Sequence, residues 1–223
     1  MKIKACIAEF IGTFALIFIG VGAIASNFLM GGQLGLVGIA LAHGLTIAVM
    51  VSATAAISGG HLNPAVTIGL LCAKRINLRN AIGYVIAQCL GGIVAAFFIK
   101  IIFPESTLQS VSMGTPSLGH GITPGVGLLT EIILTFFLVF VVYGTGVYHG
   151  APKVGGLFIG LTVALDILMG APITGAAMNP ARHLGPALLG GGVEYIWLYW
   201  LGPVVGGILA ATVYRYVLES PQD

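Results

Sequence analysis

Apolar residues gather in six long stretches, separated by short clusters of Gly, Ser, Asn, Pro and charge. A helix needs about 20 mostly apolar residues to cross a bilayer. That rule predicts spans at about 7–29, 35–57, 81–103, 126–148, 155–172 and 195–217. Two shorter apolar pieces remain, 64–73 after the second span and 180–189 after the fifth. Each makes a helix of roughly 15 Å, half a bilayer thick. Both open on one triplet, Asn63-Pro64-Ala65 in HLNPAV and Asn179-Pro180-Ala181 in AMNPAR. Asn is a favoured N-cap and Pro suits the first helical position, so both triplets read as helix starts.

Composition sharpens the membrane reading. The 223 residues are 57% hydrophobic and 7% charged, with a mean hydropathy of +1.05. A soluble domain carries about 25% charged residues, so this chain cannot clothe a globule in polar surface. A net charge of +2 without a long basic run does not point to nucleic acid, and no such partner is expected. Cys6, Cys72 and Cys89 show neither disulfide nor zinc spacing. No removable signal peptide is apparent, and the first stretch is long enough to stay as a span. Lys2, Lys4, Lys74, Arg75, Arg79, Lys153 and Arg215 fall on one side of a six-span chain, leaving Lys100 and Arg182 for the other. The positive-inside rule then makes both termini cytoplasmic and the connection 104–124, rich in Gly, Ser, Thr and Pro, extracellular. The expected location is the cell membrane.

The triplet belongs to a wider echo. AEFIGTFALIF (8–18) matches TEIILTFFLVF (130–140), and YVIAQCLGGIVAAF (84–97) matches YWLGPVVGGILAAT (199–212). One channel domain is therefore expected, with repeats at 1–105 and 125–223 and a connecting loop at 106–124. Three spans per repeat force the second copy to enter from the opposite face, an inverted repeat whose site lies where the copies meet. Two half-helices would then meet N-terminus to N-terminus. Each end carries about half a positive charge, and with the two Asn amides they form a donor site that accepts neutral lone pairs and repels cations. SGGH (58–61) and TGAAM (174–178) are irregular backbone, tolerable at membrane depth only if buried or lining a wet cavity.

The doubled box, in SGGHLNPAVT (58–67) and MNPAR (178–182), with Glu9 and Glu131 opening each repeat, resembles the aquaporin or major intrinsic protein family. The resemblance covers nearly the whole chain. It implies an all-α membrane protein of six transmembrane helices and two re-entrant half-helices. It also implies one pore per subunit, a homotetramer in the lipid bilayer, and passive passage of water without cofactor or metal. Small-residue pairs four apart, Gly91/Ala95, Gly92/Ala96, Gly206/Ala210 and Gly207/Ala211, fit close helix packing.

The family's constriction maps onto His43, Ile167, Ala176 and Arg182. That quartet departs from the strict water-channel pattern of Phe, His, a small residue and Arg, and resembles tonoplast intrinsic proteins and ammonia-permeable animal aquaporins. Water is the expected solute, with ammonia and other small neutral solutes such as urea or hydrogen peroxide beside it. A glycerol facilitator is the alternative; it typically places Asp after the filter Arg, where this chain has His183. The family also implies that Glu9 and Glu131 brace the loops before the half-helices.

Other polar residues leave alternatives open. His43 is a filter residue or a packed histidine turned from the pore. Asp166 has His43, Arg182 or loop backbone as expected partners, since an intramembrane acid needs one. His61 lines a vestibule or is structural, and His120 reaches Arg182 or stays solvated. His149 is a conceivable pH sensor. An enzyme finds no nucleophile-base arrangement, phosphate loop or metal-ligand cluster. An ion-coupled transporter would want midplane carboxylates, for which Asp166 is the one candidate beyond Glu9 and Glu131.

Overall fold

Nine α-helices make up almost all of the computed structural model, which describes residues 2–150 and 154–219. Six are long and apolar enough to cross a membrane: α1 (Ile3–Leu29), α2 (Gly35–Ser58), α4 (Leu78–Ile102), α6 (Pro124–Val142), α7 (Gly155–Thr174) and α9 (Ile196–Val213). The half-helices are α3 (Pro64–Cys72) and α8 (Pro180–Gly190). Lys153, used in the orientation argument, lies outside the described residues.

Helix ends follow local chemistry, and they move several expected boundaries. The third span starts earlier than expected because Asn77 caps it, accepting from Asn80 N at 2.9 Å. Thr123 caps α6 ahead of Pro124 at its first position. The fourth and sixth spans finish in π-type turns, Tyr143–Val147 and Tyr214–Leu218. The connection 104–124 carries the short α5 (Glu105–Ser110) and a 3₁₀ turn, Ser112–Gly114. The half-helices end at Cys72 and Gly190, each within one residue of expectation.

Each half-helix packs on the last span of the other repeat: α3 lies against α9, and α8 against α4. Glycine makes room for that exchange. A Cβ on Gly207 would sit 2.7 Å from the Ala65 carbonyl oxygen, and one on Gly92 would sit 2.6 Å from that of Ala181. The triplet alanines thus dock their backbone on the glycines of the matched YVIAQ and YWLGP segments. At the pseudo-twofold, α2 and α7 cross at Gly44 and Gly160, where a Cβ on either would meet the other's carbonyl oxygen at 2.5 and 2.2 Å. Large apolar side chains such as Val37, Val49, Ile86 and Leu165 point outward, as lipid contact requires.

Candidate functional site

The two loops before the half-helices repeat one unusual backbone. Gly59, Gly60 and Leu62 have φ of 94°, 63° and 50°; Gly175, Ala176 and Met178 have 78°, 46° and 51°. Left-handed φ at Leu62, Ala176 and Met178 costs roughly 1–2 kcal/mol each, so something must hold it. The glutamates do. Glu9 Oε1 accepts from Ser58 Oγ (2.6 Å) and His61 N (2.9 Å); its Oε2 accepts from Leu62 N (2.6 Å) and Gln88 Nε2 (2.7 Å). Glu131 Oε1 accepts from Thr174 Oγ1 (2.7 Å) and Ala177 N (2.9 Å), and Oε2 from Met178 N (2.7 Å). Both carboxylates are fully buried. Tyr84 and Tyr199 donate to the carbonyls of Ser58 and Thr174 at 2.9 and 2.8 Å, closing each loop from outside.

The loops deliver the asparagines to one place. Asn63 Oδ1 accepts from Ala65 N at 2.8 Å, and Asn179 Oδ1 from Ala181 N at 3.0 Å. Their amides then cross: Asn63 Nδ2 donates to the Met178 carbonyl (2.8 Å) and Asn179 Nδ2 to the Leu62 carbonyl (3.0 Å). Each Nδ2 has two hydrogens, so one remains unspent beside the narrow lumen that both asparagines line. Gly60, His61, Ala176 and Ala177 line it too. Apolar walls complete it, including Leu16, Ile47, Leu138 and Val163.

This lumen, about 30 Å³, joins two wider vestibules. One, about 740 Å³, opens on the face that bears Arg75, Asn80 and Tyr148; this is the terminal face. The other, about 250 Å³, opens beneath the 104–124 connection; this is the loop face. His43, Ile167 and Arg182 border both the lumen and the loop-face vestibule, so they form the neck between them, with Ala176 just inside. Val51, Gly60, His61, Val142 and Ile159 border both the lumen and the terminal-face vestibule, forming a second neck.

The expected constriction residues therefore come together. Arg182 is buried, and its Nη1 donates to the Gly114 carbonyl at 2.8 Å. The connection does reach Arg182, but through Gly114 and not His120, which is exposed. A backbone carbonyl in a long loop leaves no side-chain signal in sequence. His43 borders the neck, while its Nδ1 lies 2.9 Å from the Ile39 carbonyl and Nε2 is buried without a partner. His61 Nδ1 meets Thr67 Oγ1 at 3.1 Å, and its ring lies edge-on to Tyr84 at 5.2 Å.

Asp166 corrects an expectation. No bond links it to His43, Arg182 or loop backbone among the described residues, and its Oδ2 is buried without a partner. One helical step is about 100°, so the residue beside Ile167 does not share its lumen-facing side. His183 is fully buried and stacks on Tyr199, ring centroids 4.2 Å apart. It stands where the first repeat has Thr67, and neither ring nitrogen finds a partner. His149 is exposed beside Tyr148. Sequence reading missed Gln88, Ser58, Thr174 and the terminal-face neck; the alignment of the repeats, which already paired Tyr84 with Tyr199, was the signal for Ser58 and Thr174.

On the terminal face, Glu219 is gripped by Arg75, by Arg215 Nη1 at 2.8 Å and by Tyr143 Oη at 2.9 Å. Arg75 Nε donates to Tyr143 Oη at 2.7 Å. The last helix is thereby tied to the turn that follows the first half-helix.

No cluster of three or more metal-ligating side chains occurs among the described residues. Beyond its own geometry, the chain matches the Major intrinsic protein family model over residues 1–214. It is 44% identical to Aquaporin TIP4-4 of Zea mays, covering 95% of this chain and 85% of that one. It is 39% identical to Aquaporin-4 of Mus musculus, covering 96% and 67%. The solved structure of the aquaglyceroporin from Plasmodium falciparum superposes with a TM-score of 0.85 at 28% identity, covering 98% of this chain and 97% of that one. A lumen centred on two crossed asparagines, six membrane-spanning helices and these likenesses agree: the chain belongs to the major intrinsic protein family, as a multi-pass membrane channel of the aquaporin type and not an enzyme.

Proposed function

We propose that this channel conducts water in single file, admits ammonia and to a lesser degree other small neutral solutes, and turns away protons and ions. The crossed pair Asn63 and Asn179 carries the reading. A water oxygen at the centre accepts from both amides while the positive ends of α3 and α8 face it. Its hydrogens then point outward along the lumen, towards loops whose Gly60, His61, Ala176 and Ala177 carbonyls receive no protein donor among the described residues. A water so held cannot both donate to and accept from its file neighbours, so a proton wire breaks there.

In this reading His43, Ile167, Ala176 and Arg182 form the selectivity filter, with Glu9, Glu131 and His61 as supports. Arg182 supplies spare N–H donors and a permanent charge; Ile167 and Ala176 keep the rest of the ring apolar, which suits ammonia alongside water. The channel is a single domain of two inverted repeats, 1–105 and 125–223, and works as a homotetramer in the lipid bilayer. The basic residues around the terminal face support a cytoplasmic position for both ends, in a cell membrane. Stopped-flow measurements on proteoliposomes test the whole: water permeability and ammonium-driven pH shifts should exceed those of empty vesicles, while glycerol flux should not. Glycerol flux equal to water flux would favour a facilitator, and absent water flux would defeat the proposal.

A further inference from the structure

Gly20 lies buried on α1, outside the lining of the lumen and of both vestibules. An ideal Cβ placed there would stand 2.3 Å from His43 Nε2, 2.4 Å from its Cδ2 and 2.8 Å from its Cε1. Three ring atoms thus occupy the space a side chain would need. At the far corner of the ring, Nδ1 lies 2.9 Å from the Ile39 carbonyl. A carbonyl only accepts, so Nδ1 carries the hydrogen and Nε2 is a bare lone pair. That lone pair is buried with no donor near it. The imidazole is therefore held at one end by a hydrogen bond and seated at the other in a notch made by a missing side chain.

We infer that Gly20 is a positioning residue for selectivity: it lets the His43 ring withdraw into α1, and so sets the width and polarity of the loop-face neck. This rests on the proposed reading of that neck as the filter. His43 borders both the lumen and the vestibule, so those are the spaces open to a displaced ring. Any atom added at Gly20 drives it into them, towards Arg182. Seated as it is, the ring hides its lone pair and offers no polar hydrogen to the passage, leaving Arg182 as the donor at that level. The repeat supplies a contrast. Counting from Glu9 and Glu131, Gly20 corresponds to Val142, and counting back from the asparagines, His43 corresponds to Ile159. Val142 and Ile159 both border the terminal-face neck. The fold accepts a bulky residue at Gly20's position; what forbids it on this side is the imidazole.

The test compares wild type, Gly20→Ala, His43→Ala and the double variant in proteoliposomes, with thermal unfolding as the check on folding. Gly20→Ala is expected to lower water permeability about tenfold, because a close-packed site must pass the added methyl on as displacement, with thermal stability nearly unchanged. The double variant should return to the level of His43→Ala, since removing the ring removes the obstruction. Wild-type flux in Gly20→Ala, or a double variant as slow as Gly20→Ala, would overturn the inference. If the wild type moves no water, the proposed function fails instead, and a structure of Gly20→Ala then decides the seating: a ring displaced towards Arg182 upholds it, and an unmoved ring ends it.

Discussion

The two necks of the lumen share a backbone and differ in side chains. Counted from the asparagines, His43, Ile167, Ala176 and Arg182 on the loop face correspond to Ile159, Val51, Gly60 and Val66. The loop segments that bear Ala176 and Gly60 have the same left-handed φ pattern, and the glutamate braces match bond for bond except that Gln88 has no counterpart, Pro203 standing in its place. An inverted repeat thus builds two equivalent gaps, and side chains alone place a guanidinium in one and leave the other mostly apolar. On the proposed reading, discrimination belongs to the neck with Arg182. The other holds polarity only in its loop, through His61.

The largest effect should come from erasing that difference. Arg182→Val gives the loop face the residue that Val66 supplies at the matching position of the first repeat. A unit charge about 6 Å from a passing cation, at an effective dielectric of about 20, is worth about 3 kcal/mol, or about a hundredfold in rate. Proton and cation leak in vesicles should therefore rise by up to that factor, with water permeability kept. A leak no greater than that of wild type would place the cation barrier at the half-helix ends alone.

Next in size come the braces. Glu131→Gln replaces an acceptor by an amide N–H₂ and leaves one backbone donor, Ala177 N or Met178 N, without a partner. Such a buried orphan costs about 1–3 kcal/mol. Glu9→Gln orphans His61 N or Leu62 N and should cost the same. The loss appears as a lower thermal midpoint in detergent. A cost confined to one repeat would break the equivalence of the two loops; none in either would remove the need for charged bracing.

How much of this was legible beforehand depends on the range of the interaction. Spans, half-helices and the triplet caps are local, so hydropathy and N-cap chemistry located them, within a few residues. The meeting of Asn63 and Asn179 followed from the odd number of spans per repeat. Contacts between distant segments were not visible: nothing in sequence marks the Gly114 carbonyl as the partner of Arg182, or Gly20 as the seat of His43. Asp166 is expected to bond His43, Arg182 or loop backbone because an intramembrane acid needs a partner, yet no such bond forms among the described residues. The π-type turns that end α6 and the last span go with tyrosines packed at 4.8 Å, Tyr143 on Tyr214, another long-range fact.

A smaller effect separates Ala176 from Gly60. Ala176 holds φ +46° with a buried methyl just inside the loop-face neck; Gly60 holds +63° with none. Ala176→Gly relieves about 1–2 kcal/mol of left-handed strain and loses about 0.4–1 kcal/mol through the freer unfolded chain. Stability should barely move, while urea permeability rises a few-fold through the widened ring. Gly60→Ala is the reverse test. Its Cβ would lie 3.2 Å from both Thr54 Oγ1 and the Val51 carbonyl, so it should slow water at the terminal-face neck and leave ion exclusion intact. Changed ion leak in Gly60→Ala would mean that discrimination is shared between the necks.

The smallest expected effect concerns pH at the terminal face. Partial burial pushes the Glu219 carboxyl up, but hydrogen bonds from Arg215, Arg75 and Tyr143 outweigh it and bring the group to about 2, below its ordinary 4.5. A depressed carboxyl contributes stability that is fully present above the unfolded value and is lost as pH falls towards the folded one. The tie between the last helix and Arg75 should therefore hold unchanged from pH 8 to 5 and weaken only between about 4.5 and 2. Water permeability should be flat across the upper window in wild type, and Glu219→Gln should remove the acid-side loss of thermal stability. Arg75 borders the wide vestibule and neither neck, so releasing it at low pH should alter stability before permeability. A permeability step between pH 5 and 8 that vanishes in Glu219→Gln would make the terminal face a gate, and the division of labour between the two necks would have to be redrawn.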